Sequence, residues 1–158
     1  MKTLIIYGTK HGSAEKCSKL VKDKLQGEVV TVNIKKDSIP DLNLFENIII
    51  GGSIYMGQIQ KEIKNFCSKN MNVLKDKKVG LFVCGMNEKE VDTQLNNAFP
   101  KELITNSVAK EHFGGEFIFK NMNFFERFIV KKISKIDKDV SKLSEENINK
   151  FAELINNI

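Results

Sequence analysis

Four apolar runs of strand length mark the first 85 residues: Thr3–Gly8 (TLIIYG), Glu28–Asn33 (EVVTVN), Asn47–Gly52 (NIIIGG) and Lys78–Gly85 (KVGLFVCG). β-Branched residues crowd the first three, and glycine bounds three of the four, which favours strand over buried helix. Runs that stay apolar at nearly every position, instead of alternating, predict a parallel sheet covered on both faces. Gly114–Phe119 (GGEFIF) predicts a fifth, shorter-lived strand pattern.

Between these runs the apolar period changes to three and four. Ala14, Cys17, Leu20, Val21 and Leu25 form one stripe, which ends before Gly27. Ile59, Ile63, Phe66 and Cys67 form a second; Val91, Leu95 and Phe99 form a looser third, interrupted at Pro100. Ile148, Phe151, Ala152 and Ile155 form the last, with Ser144 as its cap and glutamates in its first turn. The segment IKKDSIPDLNLFE between the second and third strands has no helical period and predicts a loop. Strand–helix–strand alternation predicts a doubly wound α/β sheet. With 158 residues and no repeat or linker, one domain over residues 1–158 is expected.

In such a sheet ligands gather beyond the carboxyl ends of the strands, where the strand order reverses. Three loops stand there. Gly8–Ala14 (GTKHGSA) leads into a helix, whose free amides and dipole favour a phosphate; Thr9 and Ser13 add hydroxyls, and Gly12 permits close backbone approach. It lacks the Gly-Lys-Ser/Thr of a nucleotide P-loop and the three-glycine dinucleotide fingerprint. Taken alone it reads equally as an ordinary turn. Gly51–Gly57 (GGSIYMG) presents Ser53, Ile54, Tyr55 and Met56 before Gly57. Large apolar side chains on such a loop either cover a flat ligand or tuck back against the sheet. In Cys84–Glu88 (CGMNE), Gly85 and Asn87 suit an irregular turn, and with Met86 they offer backbone groups to a ring's polar edge.

Composition narrows the field. Hydrophobic content of 41% and charged content of 28% fit a globular chain. The N-terminus is no signal peptide and no stretch approaches a membrane span, so the expected location is cytoplasmic. Three widely spaced cysteines exclude a disulfide framework, and Cys17, Cys67 and Cys84 read first as small buried hydrophobes, with a reactive role for Cys84 as the other reading. His11 and His112 have no partners at ligand spacing, so no metal site is expected. The net charge of +5 favours an anionic partner, but no nucleic-acid motif accompanies it.

TLIIYGTKHGSAE resembles the phosphate loop of the flavodoxin superfamily, where Thr/Ser-x-Thr-Gly-x-Thr wraps the phosphate of FMN. Thr9, His11, Gly12 and Ser13 fall on that pattern, and Ala14 stands where its last hydroxyl belongs. NIIIGGSIYMGQIQKEIKNFCSKN is similar to the branch that contains the menaquinone-dependent protoporphyrinogen oxidases, though Tyr55–Met56 replaces an Arg–Tyr order and the stretch near the last strand is short. The resemblance implies a flavodoxin-like three-layer sandwich with a five-stranded parallel sheet of order 2-1-3-4-5. It implies FMN held by Thr9, Lys10, His11, Gly12, Ser13 and Ala14 at the phosphate. Ser53, Ile54, Tyr55, Met56 and Gly57 would lie on one side of the ring, and Gly85, Met86 and Asn87 on the other. The implied function is electron transfer through FMN between redox partners with no catalytic side chain. The alternative is an oxidase that passes electrons from a porphyrinogen to a quinone.

The segment from Phe117 to Asp139 stands apart. If helical from about Phe124, it places Phe125, Phe128, Ile129, Ile133 and Ile136 on one face and spreads Arg127, Lys131, Lys132, Lys135 and Lys138 over the rest. One reading is a core-packed helix with a solvated basic face. The other is a peripheral contact, through residues 117–138, with a membrane surface or a hydrophobic, anionic or quinone partner. A membrane contact would place the protein at the inner face of the cell membrane. The oligomeric state is left open.

Overall fold

The computed structural model describes residues 1–158. In chain order the elements are β1 (Lys2–Gly8), α1 (Ser13–Lys24), β2 (Glu28–Asn33), β3 (Asn47–Ser53), α2 (Lys61–Lys69), α3 (Met71–Leu74) and β4 (Lys78–Cys84). They continue with α4 (Val91–Ala98), α5 (Lys101–Asn106), β5 (Ala109–His112), β6 (Glu116–Phe117), α6 (Phe124–Ser134), β7 (Val140–Ser141) and α7 (Glu145–Asn156).

Five strands form one parallel sheet in the order β2-β1-β3-β4-β5. Successive side chains of a strand point to opposite faces, and this divides the core in two. Leu4, Ile6, Ile48, Ile50, Leu81 and Val83 face α2 to α5, against Ile63, Phe66, Leu95 and Leu103. Ile5, Ile49, Phe82 and Ala109 face α1 and α7, against Cys17, Val21, Ile148, Phe151 and Ile155. Both faces are buried, which is why the central strands are apolar without alternation. The order and the layering match the sequence expectation, as do the strands β1 to β4 and the helices α1, α2 and α7.

One element differs from that expectation. The fifth sheet strand is Ala109–His112, not Gly114–Phe119. Gly114 adopts φ 78°, a left-handed conformation that turns the chain away from the sheet. Glu116 and Phe117 then pair antiparallel with Ser141 and Val140 in a separate two-stranded ribbon. The third helical stripe is interrupted at Pro100 as expected: α4 ends at Ala98 and Pro100 caps α5. The loop between β2 and β3 holds only a short 3-10 turn at Leu42–Leu44, capped by Asp41.

Between Gly115 and Lys142 the chain makes an excursion over the carboxyl edge of the sheet. It contains β6, α6 and β7, and it starts and ends on one hydrogen bond, Lys142 N–H to Gly115 O at 2.8 Å. The helix starts where the sequence predicts, at Phe124, under a capping box formed by Asn123 and Glu126. It stops at Ser134, followed by Lys135 in the left-handed conformation, so Ile136 lies beyond the predicted apolar face. The core-packing reading of this helix is not what the structure shows. Phe124, Phe125 and Phe128 are exposed, and Glu126 is its one buried residue.

Candidate functional site

The site begins where β1 gives way to α1. Gly12 takes φ 96°, which only glycine adopts without strain, and turns the chain into the helix. Its N–H donates to Thr9 Oγ1 at 2.9 Å, which folds the loop on itself. The first bond of the helix ladder runs from Lys16 N–H to Gly12 O at 3.0 Å, and no side chain caps α1. The amides of Ser13, Ala14 and Glu15 therefore have no partner within the helix. A cavity of about 460 Å³ covers this turn. No hydrophobic residue lines it; Lys10, Lys35 and Lys36 do, with Thr9, His11, Gly12 and one acidic residue, Glu15. Free amides, a helix dipole and three lysines make an anion site.

The predicted phosphate residues do not all converge on that cavity. Ala14 is fully buried in the core layer under α1, so only its backbone amide remains for a ligand. Ser13 turns to a neighbouring cavity, its Oγ 3.2 Å from Ser53 Oγ. Asn33, Lys35 and Lys36 join the anion site although the sequence did not single them out. They arrive because β2 lies beside β1, which sets the turn after β2 next to Gly12.

The neighbouring cavity, about 290 Å³, lies between the second and third loops and beneath α6. All eight residues predicted for these loops line it: Ser53 to Gly57, and Gly85, Met86 and Asn87. The second loop is held by Gln60, which accepts from Ser53 N–H at 3.2 Å and donates to Ser53 O at 3.0 Å. Tyr55 and Gln58 exchange both backbone bonds around Met56 (φ 49°) and Gly57 (φ 77°), the geometry of a tight hairpin turn. Met56 is thereby thrown outward, 78% exposed.

The third loop rests on residues that the sequence did not reveal. Gly85 N–H donates to Gly114 O at 2.8 Å, and a Cβ on Gly115 would meet the Gly85 carbonyl carbon at 2.6 Å. His112 Nδ1 accepts from Gly114 N–H at 3.0 Å, so its hydrogen sits on Nε2 and is donated to Gln94 Oε1 at 3.1 Å. Gln94 in turn donates to Asn87 O at 3.3 Å. Burial holds the His112 imidazole below its ordinary pKa, against the opposing pull of Glu88, which keeps the chain of bonds in one protonation state. Cys84 closes β4 at the cavity floor, but burial and its bond with Cys17 push the thiol well up. Its reactive reading finds no support in that setting.

α6 is fastened to the phosphate-type loop. His11 and Asn121 exchange two bonds, Nδ1–H to Asn121 O and Asn121 Nδ2–H to His11 O, each 3.0 Å. His11 Nε2 stands 2.6 Å from Glu126 Oε2, with Lys10 Nζ at 3.7 Å from the same oxygen. That oxygen is buried and has no hydrogen-bond donor aligned on it. The ammonium of Lys10 also sits over the Tyr55 ring, 3.5 Å from its centroid. Lys10 and His11 line both cavities, so the anion site and the ring-sized, largely apolar site meet at these two residues.

The chain matches a family model described as "Flavodoxin domain" over residues 4–144. No curated protein sequence matches it. Among solved structures it is similar to the flavodoxin of Streptococcus pneumoniae, at 16% identity and a TM-score of 0.60 with all of both chains covered. It is similar to oxidised flavodoxin 2 of Bacillus cereus at 21% identity and a TM-score of 0.59, covering 98% of this chain and 97% of that one. It is also similar to a Fusobacterium nucleatum flavodoxin bound to flavin mononucleotide, at 13% identity and a TM-score of 0.55, covering 99% and 97%. None of these findings singles out the protoporphyrinogen oxidase branch. A sheet of order 2-1-3-4-5, an uncapped helix after its first strand and a family match over most of its length place the chain in the flavodoxin domain family.

Proposed function

We propose that the protein binds FMN and carries electrons through it between redox partners. The observation that carries this reading is the meeting of two unlike cavities at Lys10 and His11, one polar and cationic, one lined by Ile54, Tyr55 and Met86. FMN has the same division, a dianionic phosphate at one end and a flat ring at the other. Thr9, Lys10, Gly12 and the amides of Ser13 and Ala14 would hold the phosphate, with Lys35 and Lys36 neutralising its charge. Ser53 to Gly57 and Gly85 to Asn87 would flank the ring. Bound FMN supplies the redox chemistry, and the protein supplies binding, orientation and electrostatics. No side chain is required as an acid or base.

Titration of FMN with the purified protein, followed by flavin fluorescence, tests this reading. Saturable quenching at one FMN per chain is the expected result. Unchanged fluorescence with folded protein would overturn it.

A second reading is oxidation of a porphyrinogen with a quinone as acceptor. The cationic excursion beside the ring cavity favours it, because porphyrin carboxylates would be attracted there. Anaerobic turnover of protoporphyrinogen with a menaquinone analogue supports this reading. A reducible flavin without turnover leaves the carrier.

A further inference from the structure

We propose that the outer face of α6 docks the protein onto an anionic phospholipid surface, a contact that does not depend on the FMN reading. The helix is apolar on two opposite sides. Its inner side, with Ile129 and Val130, closes the ring cavity together with Met122, which precedes the helix. Its outer side carries Phe124, Phe125 and Phe128, which are 86%, 67% and 54% exposed. Apolar side chains on two opposite sides of a helix call for cover on both, and the loops around the cavity cover only one.

The charge around this face identifies the covering. Residues 117–138 hold six of the chain's 25 Lys and Arg but only two of its 20 Asp and Glu. One of those two, Glu126, is buried and turned inward. Lys120, Arg127, Lys131, Lys132, Lys135 and Lys138 are all exposed, and none of the eight ion pairs of the molecule includes them. Exposed aromatic rings flanked by unpaired cations match an interface with lipid tails below and anionic headgroups at its rim. The long lysine stems let the ammonium groups reach the headgroups while the rings enter. A second copy of the chain is the poorer match, since a twofold contact would bring two such cationic patches together. Eleven residues lying in the plane of the surface suffice, and no helix of the protein is long and apolar enough to cross a membrane.

The test uses the full chain and sedimentation with vesicles of phosphatidylcholine, alone or mixed with phosphatidylglycerol. Binding to the mixed vesicles that exceeds binding to phosphatidylcholine by at least about tenfold, and weakens with added salt, is expected. The double variants Phe124→Ser with Phe128→Ser and Lys131→Glu with Lys132→Glu should each lower it by on the order of tenfold or more. All four side chains are exposed, so circular dichroism should show both variants folded. A wild-type protein left in the supernatant overturns the proposal. So does vesicle binding that survives the Phe→Ser pair, which would mean general electrostatic adhesion, or a dimer that this pair dissolves. FMN uptake by the same samples separates the two readings: flavin binding without vesicle binding sinks only the lipid contact, and the reverse sinks only the flavin site.

Discussion

The sheet and the excursion between Gly115 and Lys142 use apolar residues in opposite ways. In the sheet, Leu4, Ile5, Ile6, Ile48, Ile49 and Ile50 have no solvent exposure, and each strand is pinned by a neighbour in register. In the excursion, apolar rings face outward and the segment is held by a few polar ties. These are the His11–Asn121 pair, the Glu126 contact, and Glu116 Oε1, which accepts from Lys16 Nζ and Ser141 Oγ at 2.8 Å each. The contrast teaches that one chain contains a rigid platform and a cover fastened by charge. The two should differ in local stability, because opening costs least where few apolar contacts break.

The largest separation between the regions should come from matched aromatic deletions. Phe82 is fully buried and stacks on Phe113 with ring centroids 4.9 Å apart. Phe82→Ala should lower unfolding stability by about 3–5 kcal/mol in urea titrations. Phe125→Ala, on the excursion, should change it by no more than about 0.5 kcal/mol. Equal losses would abolish the distinction.

Gly12→Ala comes next. Its Cβ would enter open space, with only Asn121 Nδ2 at 4.0 Å, so the cost is the strain of φ 96°. A loss of about 1–3 kcal/mol is expected, together with weaker FMN binding by fluorescence titration as the turn relaxes. Full stability with full affinity would show that this turn is not the grip.

A smaller effect concerns pH. The native pKa of His112 lies below its unfolded value near 6.5, so the unfolded chain binds more protons between the two. The contribution of this site is therefore intact above about pH 6.5 and is lost as pH falls towards the native value, by at most about 1.4 kcal/mol per pH unit. Urea midpoints of the wild type and His112→Gln at pH 7.5 and 5.5 should converge at the lower pH. Parallel curves would remove His112 from the account.

The smallest global effect should be that of Glu126→Ala. Loss of its contacts with His11 and Lys10 should cost about 1 kcal/mol or less in overall stability. Amide exchange across residues 116–134 should nonetheless accelerate by on the order of tenfold, while β1, β3 and β4 keep their protection. Uniform acceleration in both regions would mean that cover and platform open together.

Which of these features are legible in the sequence follows from how far each depends on neighbours. Strands β1 to β4 are readable because both faces are buried, so their apolar runs are continuous. β5 is not, because an edge strand with exposed Lys110 beside buried Ala109 has no such run, and Gly114–Phe119 carries the stronger pattern while leaving the sheet. All eight residues of the second and third loops are readable from their place after β3 and β4. Gln94, His112, Gly114 and Glu126 are not, since their roles depend on partners brought close by the fold.

Local chemistry decided the strands, most helices, the Gly12 turn and the capped start of α6, because period, glycine and capping act over a few residues. Tertiary structure alone decided that His11 meets Asn121 across 110 positions and that Lys35 and Lys36 join the anion cavity. It also decided that the phenylalanines of α6 turn outward. An amphipathic pattern specifies which residues seek cover, but only the packed sheet, with a limited area to offer, determines which of them receive it.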